Sequence, residues 1–148
     1  MARSNTTRRS GILEGLAELF QKIDGGDGYK QDLTGAISTR MQFWDEVDSF
    51  PCLHMSAGTE TREYFGASSK WRFLTVTIRI YVNSEDPIQE LEELLEDVER
   101  VLDDAGQFDY GTSEGTKQIS QLTVISISTD EGALQPLGVG EMIVEIRY

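Results

Sequence analysis

Cys52 and His54 stand two residues apart, so in an extended strand their side chains share one face. A thiol beside an imidazole could serve as a nucleophile with its general base. That spacing is common to every strand, however, and the residues around Cys52 carry none of the local words that mark thiol enzymes, so ordinary packing is the expectation. Asp24, Asp27 and Asp32 surround Gly25, Gly26 and Gly28 in the manner of a calcium loop. The required spacing fails, because glycines 26 and 28 fall on ligand positions. Gly138-Val139-Gly140 lacks the third glycine of a dinucleotide fingerprint and opens a strand rather than a helix. One cysteine with one histidine cannot build a four-ligand structural zinc site. Paired carboxylates of the glycosidase kind are available among the 26 acidic residues, but nothing singles out two of them. No catalytic residue, cofactor or metal is therefore expected.

Charge narrows the partners. Thirteen basic residues against 26 acidic ones leave a net charge of −13, which repels nucleic acid. Phe43, Trp44, Phe65, Trp71 and Tyr81 are then better read as core or interface residues than as a base-stacking platform. The lone Cys52 has no internal disulfide partner, which fits a reducing compartment. No secretory segment and no run of about 20 apolar residues is present, so no membrane role is expected, and the Asn5-Thr6-Thr7 sequon carries no weight. At 148 residues the chain suits one domain, expected over 10–148 behind a flexible polar arm, 1–9.

The elements follow from periodicity. Ile12, Leu13, Leu16, Ala17, Phe20 and Ile23 recur every three or four residues, predicting an amphipathic helix capped by Ser10 and ended by the glycines after Asp24. Ala36 to Ser49 fits neither period and stays mixed. Cys52 to Ser56 and Thr59 to Phe65 flank Ala57-Gly58, which reads as a hairpin. Trp71 to Val82 alternates Leu74, Val76, Ile78, Ile80 and Val82 with Phe73, Thr75, Thr77, Arg79 and Tyr81, predicting a strand with one core face. Asp86-Pro87, with Gln89 in the capping-box position, opens a helix that runs to Ala105 and closes at Gly106. A loop from Gln107 to Lys117 leads to strands over Ile119 to Thr129 and Val139 to Tyr148. Short turns between strands and segregated helices predict an α+β fold: an antiparallel sheet with a long acidic helix and the N-terminal helix packed on it.

The second helix concentrates the charge. Ten acids lie between Glu85 and Asp104 against the single base Arg100, accounting for nine of the thirteen net negative charges. Ile88, Leu91, Leu94, Leu95, Val98, Val101 and Leu102 form its apolar stripe, while Gln89, Glu93, Glu96, Arg100 and Asp103 occupy the opposite pole. An i,i+4 pair between Glu96 and Arg100 is expected there. The plain reading is a solvated face. Asp103 and Asp104, however, oppose the helix dipole, so the sequence either uses this charge or tolerates its cost.

In order, the chain runs from an amphipathic helix to Phe50-Pro51-Cys52-Leu53-His54-Met55 and Gly58-Thr59-Glu60, then a long alternating strand and a helix opening at Asp86-Pro87-Ile88. It continues through Ser128-Thr129-Asp130-Glu131-Gly132 and Pro136-Leu137-Gly138 to Met142-Ile143-Val144-Glu145-Ile146-Arg147-Tyr148. This pattern, from about Ser10 to Tyr148, resembles the tail terminator family of long-tailed bacteriophages, also called tail completion or tail-to-head joining proteins. The resemblance implies a homohexameric ring that caps the tail tube, stops tube polymerisation and docks the head-tail connector or neck protein while DNA passes without specific binding. It implies no enzymatic activity and no cofactor, with the protein in the neck of the virion after assembly in the host cytoplasm. On that reading Glu93, Glu96, Asp97, Asp103 and Asp104 face the channel. Asp27 and Tyr29 in the first glycine-rich loop, with Phe108 and Tyr110 in the later one, would meet a neighbouring protein.

Two other classes compete. An acidic DNA-mimic inhibitor would explain the charge, but it needs carboxylates spread over an extended surface rather than gathered on one helix. A ferredoxin-like ligand-binding or regulatory domain has a related element order and would need a pocket with convergent polar groups.

Overall fold

The computed structural model describes residues 7–26 and 28–148. The first helix, α1 (Arg8–Phe20), starts two residues before the expected cap. Thr7 caps it instead, its hydroxyl accepting the Ser10 N–H at 3.2 Å. Arg8 and Arg9, expected in the arm, are therefore helical; residues 1–6 lie outside the described residues. Phe20 and Ile23 are buried, and the chain then turns through Asp24 and Gly25.

The main sheet has five strands in the order β1 (Ile37–Ser38), β2 (Cys52–Tyr64), β3 (Lys70–Asn83), β7 (Leu137–Arg147) and β6 (Gln121–Thr129). All neighbours are antiparallel except the two-residue β1, which lies parallel to β2. The hairpin expected at Ala57-Gly58 is instead one continuous strand. Ala57 pairs with Val76 and Glu60 with Leu74, so β2 carries one extra residue there, a bulge. The true reversal is at Phe65–Ser69, where the Phe65 N–H donates to the Ser69 carbonyl at 3.0 Å.

The segment expected to be a loop from Gln107 to Lys117 is itself a hairpin, β4 (Asp109–Thr112) with β5 (Gly115–Gln118). It folds against α1, and two glycines allow this. A methyl group on Gly11 would lie 2.2 Å from the Gly111 carbonyl oxygen, and one on Gly15 would lie 3.1 Å from the Phe108 ring.

The alternation in β3 points Leu74, Val76, Ile78, Ile80 and Val82 into a core shared with β7, β2, α1 and α2 (Pro87–Ala105). Asp86 caps α2 by accepting the Gln89 N–H at 3.2 Å. Both helices thus cover one face of the sheet. Gly138 and Gly140 of β7 let α2 approach: a methyl on the first would meet Val82 at 2.8 Å, and on the second Leu91 at 3.0 Å. That glycine pair serves packing rather than phosphate binding.

Candidate functional site

The chemical pairing at Cys52 and His54 is present as geometry but not as chemistry. Their strand positions pair with Tyr81 and Arg79 on the sheet face away from the helices. Burial, with Asp48 as a lesser cause, pushes the Cys52 thiol up to about 11, so it stays protonated. Burial, then the nearby Arg79 charge, lowers the His54 imidazole below its ordinary range. The His54 ring packs edge-on against Tyr81 with centroids 5.4 Å apart, and the Tyr81 hydroxyl donates to the Gln42 carbonyl at 2.7 Å. The Cys52 and His54 side chains are both buried in this packed corner.

Beside it a cleft of about 340 Å³ opens between Phe43, Trp44, Tyr81, Leu134 and Val139. Its charged groups are occupied, since Arg79 donates to Glu141 at 2.8 Å and Asp130 accepts the Leu134 and Val139 N–H groups at 3.1 and 3.2 Å. A ligand would find no convergent free polar groups among them. Asp24 and Asp32 likewise cap their own turns, accepting the Gly26 and Thr34 N–H groups, each at 2.9 Å. Among the described residues no group of three His, Cys, Asp or Glu side chains is placed to hold a metal, and no helix is long and apolar enough to cross a membrane.

The acidic helix is not uniformly solvated. Asp97, expected on the channel face, is only 1% exposed. Its Oδ2 accepts the backbone N–H groups of Lys30 at 2.9 Å and Gln31 at 2.8 Å. The incoming segment is held on both sides. Lys30 Nζ pairs with Glu96 at 2.6 Å, Gln31 Nε2 donates to Glu93 at 3.2 Å, and the Arg100 guanidinium lies 4.6 Å over the Tyr29 ring. The hydrogen bond from Lys30 lowers the Glu96 carboxyl, and the same bond raises Lys30. Glu96 therefore pairs with Lys30 rather than Arg100, whose own helix partner is Asp104 at 4.0 Å. Asp103 and Asp104 are exposed as expected.

Of the four residues assigned to interface loops, Phe108 and Tyr110 are buried and belong to the core. Tyr110 accepts from Arg8 Nε at 3.1 Å and packs edge-on against Tyr148. Their alternation across Asp109 was a strand signal, masked by the flanking glycines. Tyr29 is half-buried under Arg100, and Asp27 lies outside the described residues.

Sequence reasoning missed two surfaces. The strand β6 forms an open sheet edge, and its bulge at Ile125 leaves both Ile125 and Ile127 exposed. Between β6 and α2 runs a trough, about 490 Å³ where Glu99, Leu102, Asp103, Leu122 and Val124 line it, continuing past Glu92, Leu95 and Ile127. At the other edge the β2–β3 ribbon extends past the rest of the sheet, carrying exposed Tyr64 and Phe65. Only Ile125 and Ile127 in an otherwise Ser- and Thr-rich strand, and Tyr64-Phe65 before Gly66, hinted at either.

A family profile described as bacteriophage tail tube terminator protein matches residues 6–148. The tail tube terminator protein p142 of Escherichia phage T5 is 32% identical over 149 residues, covering 95% of this chain and 92% of that protein. A chain in the virion of a native gene transfer agent particle superposes with a TM-score of 0.58 over 93% of each chain, at 9% identity, a likeness of fold alone.

Proposed function

The chain belongs to the bacteriophage tail tube terminator family, and from that premise we propose that it ends the tail tube as a closed ring of six copies. The ring stops further tube addition, offers its far side to the head-tail connector and leaves a bore for DNA. The protein acts by assembly and catalyses no reaction. The observation that carries this reading is the match to a tail tube terminator across 95% of the chain. Physical features agree with it. A closed ring needs two different patches on each subunit, and the molecule has open sheet edges on opposite sides. The bore is lined by the outward pole of α2, where Glu96, Asp103 and Asp104 are exposed and repel phosphates, so passing DNA finds no localised grip.

Native mass measurement of the purified protein, alone and with isolated tail tubes, tests the proposal. A discrete six-copy species seated on one end of each tube is the expected result. A protein that stays a monomer at high concentration and ignores tube ends overturns it.

A further inference from the structure

We infer that the projecting end of the β2–β3 ribbon of one copy seats in the trough between α2 and β6 of the next copy. The inference rests on the ring reading and names the two surfaces that close the ring. β7 pairs with β3 only as far as Phe73 opposite Arg147, followed by backbone bonds between Arg72 and Tyr148. Beyond that, Glu63 to Tyr64 and Lys70 to Trp71 pair only with each other. A two-stranded ribbon is marginal in water by itself, yet this one holds Tyr64 at 60% and Phe65 at 54% exposure. Lys70 lies 5.3 Å over Tyr64, and Arg147 lies 4.5 Å over Trp71, whose ring packs against Phe65 with centroids 5.6 Å apart. Arg62 is paired with Glu60 at 2.6 Å and Glu63 is exposed, so Lys70 and Arg147 are the cations beside the aromatic cluster.

The trough is the chemical complement. Its floor is the row Leu122, Val124 and Ile127, with Ile127 44% exposed because α2 stops short of the sheet edge. Its wall carries Glu92 and Glu99 on the β6 flank of α2, with Glu96 and Asp103 at the rim where that flank meets the outward pole. With a net charge of −13 on every copy, most ways of bringing two copies together are repulsive, and this one joins a basic, aromatic end to an acidic, apolar trough.

Position favours closure as well. Gln121 pairs with Arg147, which pairs with Phe73, so the start of β6 and the ribbon lie at the same end of the sheet on opposite edges. A rotation about an axis along the strands brings one to the other without a rise, as a ring requires; a rise would produce an open helical filament.

Charge reversal tests the contact. One variant carries Ser68→Glu with Lys70→Glu, and a second carries Glu92→Lys with Glu99→Lys; all four positions are surface positions of the monomer. Each alone should raise the concentration needed for ring assembly about tenfold or more. An equimolar mixture, and a chain carrying all four substitutions, should recover wild-type assembly, since acid again meets base at every junction. A third variant, Tyr64→Ser with Phe65→Ser, should weaken assembly while leaving monomer unfolding unchanged. A wild-type ring that either reversal leaves intact, or a mixture of folded variants that fails to recover, overturns this contact alone. A wild-type protein that never closes into an oligomer removes the ring reading and this contact together.

Discussion

Oδ2 of Asp97 accepts the Gln31 N–H at 2.8 Å, tying the middle of the acidic helix α2 to the segment that follows the first glycine-rich turn. With the Lys30 N–H as second donor, a carboxylate only 1% exposed is balanced by two backbone N–H groups. Asp97→Ala leaves both donors unpaired, and a loss of about 2–4 kcal/mol is expected. Asp97→Asn keeps an acceptor and should lose less. Urea denaturation checks this, and an unchanged midpoint in Asp97→Ala would show that the latch contributes nothing.

Gly11 is the point where α1 meets the β4–β5 hairpin. Alanine there would gain up to about 1 kcal/mol in helix propensity but would drive a methyl into the Gly111 carbonyl, 2.2 Å away. Overpacking against backbone wins, with a net loss of about 1–2 kcal/mol expected. Gly111→Ala is the control, since a methyl there meets nothing within 4 Å. Comparing the two thermal midpoints decides whether the close approach is real.

Stability should fall as the solution is acidified through the histidine range. The folded-state pKa of His54 is lowered, first by burial and then by Arg79, from its ordinary 6.5. Between the folded value and 6.5 the unfolded chain binds the proton that the native state refuses, so stability is present above 6.5 and is lost as pH drops through that window. His54→Gln should flatten this part of the pH profile. A wild-type profile that is already flat there contradicts the assignment.

If the outward pole of α2 lines a bore, Glu96→Lys with Asp103→Lys and Asp104→Lys should slow genome passage through an otherwise normal particle. All three side chains are exposed, but Glu96 gives up its pair with Lys30 and Asp103 lies at the rim of the trough, so monomer folding and ring assembly are measured first and ejection is compared in particles of normal tail length. Phage carrying the triple variant and ejecting DNA at the wild-type rate would remove these residues from the channel.

The readable parts of this fold are those whose signals are local. Asp86, Pro87 and Gln89 mark the start of α2, and Gly106 its end, because a cap and a breaker act within a few residues. The alternation of β3 is equally local. Ala57-Gly58 misled because turn chemistry also suits a bulge, and only the register against Val76 and Leu74 distinguishes them. Asp97 misled for a similar reason: on the helix it sits at the margin of the charged face, and burial comes from a segment 66 residues earlier in the chain.

By itself the sequence determined the α+β class, the two helices and the principal strands, since these depend on short-range periodicity. Tertiary structure alone decided that Phe108 and Tyr110 are core, that Glu96 answers Lys30, and that the β2–β3 ribbon outruns the rest of the sheet. Net charge is a sum along the chain, whereas a surface is an arrangement in space. Which residues share a surface is set by contacts between elements far apart in sequence, and those contacts leave no periodicity to read.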